Sequence, residues 1–155
     1  MNTKLTKLIL IALLSSTTVL FAGFPVTDKI LAQNIKEDGQ MEAKTLKSMI
    51  DKNQKVIILD VREKEQRSEG YIDADETYAI TRGNLEFVVG NKIKDKNALI
   101  VTFCRSGPRG VMAAHRLRQM GYKNATSLRH GLKGWTSLGY PLETGMGVAK
   151  YIDVY

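Results

Sequence analysis

Two continuous apolar runs divide the chain. Lys55-Val56-Ile57-Ile58-Leu59-Asp60 and Ala98-Leu99-Ile100-Val101-Thr102-Phe103 are too uniformly apolar for half-exposed strands, which alternate, so they predict strands inside a parallel sheet. Tyr78-Ala79-Ile80 and Ala125 to Leu128 predict two shorter strands. Helical spacing fills the intervals. Ala43, Leu46, Met49 and Ile50 share one face of Met41 to Asp51. Val111 to Met120 repeats that period, and Gly121 supplies a helix-ending glycine. Leu85, Val88 and Val89 form a further apolar face with Phe87 beside it, and Glu63 to Gly70 predicts a polar helical turn. Strands alternating with helices predict an α/β fold, an open parallel sheet with helices on both faces. Pro25 to Gln40 is polar and without period and reads as a linker. Gly145 to Tyr155 has no pattern that assigns it.

The first residues follow a different order. Lys4 and Lys7 precede Leu8-Ile9-Leu10-Ile11-Ala12-Leu13-Leu14, the apolar character continues to Phe21, and the small residues Ala22 and Gly23 follow. Residues 1–22 are therefore expected to be a secretory signal peptide, and the protein to be periplasmic or secreted. The patch Ser15 to Thr18 weakens a membrane span, so no stable insertion is expected once the leader is removed. An uncleaved N-terminal anchor is the alternative.

Charge and cysteine count narrow the chemistry. The 155 residues carry a net charge of +7, or +5 without residues 1–22, which hold two lysines and no acid. The lysines are scattered and not interleaved with aromatics, which argues against nucleic acid. A diffuse positive field suits small anions better. One cysteine rules out an internal disulfide, a cysteine-built zinc site and an iron–sulfur cluster. No metal and no cofactor is expected.

That cysteine stands in Cys104-Arg105-Ser106-Gly107-Pro108-Arg109-Gly110, between a predicted strand and a predicted helix. The helix N-terminus presents unpaired backbone N–H groups and a positive dipole end, which favour the thiolate. Gly107 is free to take a positive φ and curl its neighbours' amides into a nest, and Pro108 suits the first helical turn. A lone cysteine is usually a small buried hydrophobe, but such a residue does not need two arginines and two glycines around it. Asp60 and Arg62 close the first long strand, at the carboxyl edge where α/β sheets build their sites. They are read as an ion pair that bonds loop backbone, or as support for the cysteine loop.

The loop resembles the Cys-Arg-x-Gly-x-Arg active-site loop of rhodanese-domain sulfurtransferases. Asp60-Val61-Arg62-Glu63, Gly70-Tyr71-Ile72, Arg82-Gly83-Asn84-Leu85-Glu86-Phe87 and Arg129-His130-Gly131-Leu132-Lys133-Gly134-Trp135 are similar to further segments of that family, over roughly residues 41–142. The chain departs from it with Tyr71 for a histidine, Asp73-Ala74-Asp75 for x-Gly-Ala, and His130 for a glycine. The resemblance implies a rhodanese-like fold; with the leader and the aperiodic segment read above, the expected organisation is 1–22 signal peptide, 23–40 linker, 41–145 rhodanese-like domain and 146–155 C-terminal tail. It implies that Cys104 is catalytic and carries a persulfide. Arg105, Ser106, Gly107, Arg109 and Gly110 would bind substrate, with Asp60 and Arg62 in support. Trp135 is expected in the core, His115 at the surface, and His130 as a backbone-bonding or anion-tuning residue. The expected partners are a small anionic sulfur donor, thiosulfate or polysulfide, and a thiol or cyanide acceptor. Two other classes compete: a non-enzymatic sulfur carrier with the same loop, and a Cys-dependent phosphatase. The Cys104–Arg109 ring is one residue shorter than the Cys-x5-Arg of phosphatases and too tight for phosphate.

Overall fold

The computed structural model describes residues 24–150. The expected signal peptide and the last residues of the expected tail lie outside this range. The central sheet contains β1 (Gln40–Met41), β2 (Ile57–Asp60), β3 (Glu76–Ala79), β4 (Leu99–Phe103) and β5 (Asn124–Leu128), in the order β1-β5-β4-β2-β3 with every pair parallel. The helices are α1 (Pro25–Asp38), α2 (Ala43–Asp51), α3 (Leu85–Lys92), α4 (Pro108–Gln119) and α5 (Gly131–Thr136). Strand alternation explains how both faces are covered. Ile57, Leu59 and Ile100 point into one apolar layer with Leu85, Val89, Ala113 and Leu117 of α3 and α4. Ile58, Val101 and Phe103 point into the other, with Leu46 of α2 and Leu132 and Trp135 of α5. Trp135 is buried and its indole Nε1 donates to the Pro141 carbonyl at 2.8 Å.

The α/β architecture with helices on both faces is as the apolar pattern predicts. Three local readings are corrected. Pro25 to Gln40 is no linker: α1 packs on α4. Its hydrogen-bonded contacts with α4 are polar, and they carry no apolar period to announce it. Buried Asn34 donates to Met112 Sδ at 3.4 Å, and Asp38 Oδ2 lies 2.8 Å from His115 Nδ1. His115 is thus half-buried and partnered across α1 and α4. The predicted helix from Met41 gives up its first residues, because Gln40 and Met41 pair in parallel with Ser127 and Leu128. The domain boundary at residue 145 falls within a hairpin of β6 (Leu142–Thr144) and β7 (Gly147–Ala149). Tyr71 and Glu143 exchange backbone hydrogen bonds at 2.9 Å and fasten that hairpin to the domain.

Candidate active site

The parallel register determines where the site forms. Asp60 pairs with Phe103, so the chain leaves β2 and β4 side by side at their carboxyl ends. Cys104 is the first residue beyond β4 and is 2 % exposed. Its Sγ accepts the Gly107 N–H at 3.2 Å. Gly107 caps α4 with φ 116°, a conformation that strains any residue with a Cβ, and Pro108 follows at the first helical position. Gly110 lets α4 approach β4: a Cβ there would lie 3.2 Å from the Thr102 carbonyl oxygen, and Thr102 Oγ1 donates to the Gly110 carbonyl at 2.7 Å. Gly110 thus serves the close packing of α4 on β4.

The start of α5 fixes the loop from the other side. Leu132 N–H donates to the Cys104 carbonyl and Lys133 N–H to the Arg105 carbonyl, each at 2.9 Å. Gly131 makes that approach possible. It sits at φ 56°, and a Cβ there would come within 2.3 Å of the Cys104 carbonyl oxygen. His130 adopts a left-handed φ of 59°, with its backbone beside Gly107. It lines a cavity of about 200 Å³ with Ser106, Leu31 and Ile35.

The segment after β2 meets both arginines. Asp60 and Arg62 form a buried pair, with Arg62 Nη2 2.7 Å from Asp60 Oδ2. Arg62 also donates to the carbonyls of Gln66 at 3.0 Å and Gly70 at 2.7 Å, and its guanidinium lies 5.3 Å from the Phe103 ring centroid. These bonds hold the 3-10 turn Lys64–Glu69 against the cysteine loop. From that turn, Glu69 Oε1 lies 3.0 Å from Arg105 Nε, and Gln66 Oε1 accepts from Arg109 Nη2 at 2.7 Å. A second cavity of about 200 Å³ opens between Glu69, Arg105, Lys133 and the apolar Leu132 and Leu142.

Cys104, Arg105, Ser106, Gly107 and Arg109 are therefore gathered at one loop, with Asp60 and Arg62 placed behind it as organisers of the neighbouring turn. Gln66, Glu69 and Gly131 are the participants that the sequence reading did not single out. Gly131 lay within a quoted motif, whereas Gln66 and Glu69 carry no local signal beyond following a strand's carboxyl end. Chemically, the arrangement offers a sulfur with a backbone N–H on it in a loop that carries two arginines, the elements of nucleophilic catalysis with a stabilised anion.

Residues 42–138 match the rhodanese-like domain family. A Bacillus subtilis protein named "Putative sulfur carrier protein YrkF" is 26 % identical over 105 residues, 68 % of this chain and 55 % of that protein. The chain thus spans about half the length of that relative. An Allochromatium vinosum sulfurtransferase is 24 % identical over 104 residues, covering 67 % of this chain and 94 % of its own. The solution structure of a polysulfide-sulfur transferase homodimer from Wolinella succinogenes superposes with a TM-score of 0.63 at 19 % identity, over 84 % of this chain and 92 % of that one, which shows a shared fold. With the strand–loop–helix setting of Cys104 and a family match over most of the described residues, the chain belongs to the rhodanese-like domain family.

Proposed function

We propose that the protein is a sulfurtransferase working through a persulfide on Cys104. The observation that carries this reading is the loop itself: the chain's one cysteine receives the Gly107 N–H on its sulfur, and the same loop carries Arg105, paired with Glu69, and Arg109, whose charge no carboxylate cancels. The Cys104 thiolate attacks the outer sulfur of thiosulfate. The Sγ–S bond forms, the S–S bond of the donor breaks, and sulfite leaves with the electron pair. With polysulfide, a shorter polysulfide leaves instead. Loop amides hold the charge on the terminal sulfur, much as an oxyanion hole does. A thiolate or cyanide then attacks that sulfur and releases Cys104 as thiolate. No second cysteine is present to relieve the persulfide as an internal disulfide, so the sulfur waits for an outside acceptor.

Intact mass spectrometry tests this. Thiosulfate or polysulfide should add one sulfur atom, and cyanide should remove it as thiocyanate. Cys104→Ser should lose both steps and stay folded. Thiocyanate production by that variant, or a mass gain from aryl phosphate alone, would refute the reading. Loading by polysulfide but not thiosulfate would change the donor only. The sulfur-carrier name of the Bacillus subtilis relative supports a second reading, in which Cys104 loads once and delivers only to a partner. Repeated turnover with cyanide decides between the two. We further propose export, on the basic and apolar order of residues 1–22. N-terminal sequencing of protein from its native host should find that leader removed, and a full-length cytosolic chain would refute it.

A further inference from the structure

The two arginines of the cysteine loop are held by different chemistry. Arg105 is paired with a carboxylate, Glu69, at 3.0 Å. Arg109 gives Nη2 to the neutral side-chain oxygen of Gln66 at 2.7 Å. Among the described residues, no carboxylate lies within 4 Å of the guanidinium of Arg109 or of Arg67, whereas Arg62, Arg82, Arg105, Arg116, Arg118 and Arg129 each have one; of the two arginines of the cysteine loop, only Arg109 lacks one. An amide oxygen orients a guanidinium and cancels none of its charge.

Gln66 is also a fixed support. Its Oε1 accepts the Glu63 N–H at 3.4 Å within a capping box, and its carbonyl accepts Arg62 Nη1 at 3.0 Å. The turn that presents it is thereby anchored to the buried Asp60–Arg62 pair. Arg109 itself stands in the first turn of α4, whose helix dipole adds positive potential at the same end. A carboxylate at position 66 would make the same hydrogen bond and remove the net charge.

We infer that Gln66 is a specificity-determining residue. It meets Arg109 with a neutral oxygen where a carboxylate would cancel the charge, and the charge left in the loop selects anionic co-substrates for Cys104. The identity of the anion as a sulfur donor rests on the sulfurtransferase reading, whereas the charge effect is readable at Cys104 without it.

The test compares Cys104 alkylation by iodoacetate and by iodoacetamide. Both form the same Sγ–C bond and expel iodide, and they differ in charge, so the thiolate fraction cancels in the ratio of rates. Gln66→Glu keeps the shape and suits the third position of a capping box. It should lower the iodoacetate-to-iodoacetamide ratio roughly three- to ten-fold, the scale of one unit charge acting over several ångströms of partly wet protein. It should also weaken the fall of that ratio with added salt, and raise the KM for thiosulfate by at least as much. Gln66→Met removes the hydrogen bond without adding charge and should leave the ratio within about two-fold, because charge, not the bond, is the variable. Arg109→Met should lower the ratio as Gln66→Glu does. An unchanged ratio in folded Gln66→Glu, or an equal fall in Gln66→Met, overturns the inference. If the ratio responds but thiosulfate never loads the wild type, the sulfurtransferase reading fails and the charge assignment stands. If thiosulfate loads wild type and Gln66→Glu with the same KM, the reverse holds.

Discussion

Asp60 and Arg62 are two residues apart, fully enclosed, and joined through both carboxylate oxygens. Burying two charges is costly, and the pair is sustained because every remaining donor direction is used, by Gln66, Gly70 and the more distant Glu69 at 3.6 Å. Such a pair adds little over an apolar substitute, but half of it is a liability. Asp60→Asn should therefore destabilise the protein by about 3 kcal/mol, read from urea unfolding, because it strands a buried guanidinium. Thiosulfate loading should weaken with it, since the Lys64–Glu69 turn loses its anchor. Loss of loading without loss of stability would mean that Asp60 meets the substrate itself.

At the scale of elements, α5 holds the cysteine loop through two backbone hydrogen bonds, and this requires Gly131. Gly131→Ala places a methyl against the Cys104 carbonyl in a conformation that costs an L-residue about 1–2 kcal/mol before any contact. The expected result is a lower melting temperature and failure to form the persulfide. Normal loading would mean that α5 is free to move aside. Helices α3 and α4 are tied differently, by Glu86, which takes Arg82 at 3.2 Å and Arg116 at 3.0 Å. Burial opposes ionisation of Glu86, but its backbone hydrogen bond and the two arginines outweigh that and hold its carboxyl below the ordinary glutamate range. A carboxylate lowered on folding contributes stability above its unfolded value and loses it as the pH falls through the folded one. Glu86→Gln should cost about 0.5–1 kcal/mol near neutral pH and nothing in strong acid. A pH-independent difference in thermal unfolding would contradict this account.

Across the whole molecule, the elements that bury carbon are the ones that the sequence reveals. The runs ending at Asp60 and Phe103 read as strands because both sheet faces are covered. Helix α1 escapes notice because it docks through Asn34 and Asp38, and a polar contact has no hydrophobic period. The hairpin of β6 and β7 escapes because its attachment is backbone pairing with Tyr71, over seventy residues earlier, to which side-chain pattern is blind. The site divides in the same way. Cys104 and its loop are contiguous and legible, whereas the pairing of Arg109 with Gln66 spans 43 residues and exists only once β2 lies beside β4.

The bonds from Leu132 and Lys133 to the carbonyls of Cys104 and Arg105 have a kinetic meaning. On the sulfurtransferase reading, a loop whose first two carbonyls are already tied outward has little backbone freedom to surrender when sulfur arrives. The entropy of arranging the cradle would then be met once, during folding, instead of at each turnover. Hydrogen exchange should find those two amides equally slow in the free and sulfur-loaded protein, and marked slowing on loading would mean that the cradle assembles around its cargo. The cycle should then waste little heat on reorganisation, and its pace should follow the arrival of donor and acceptor rather than the motion of the chain.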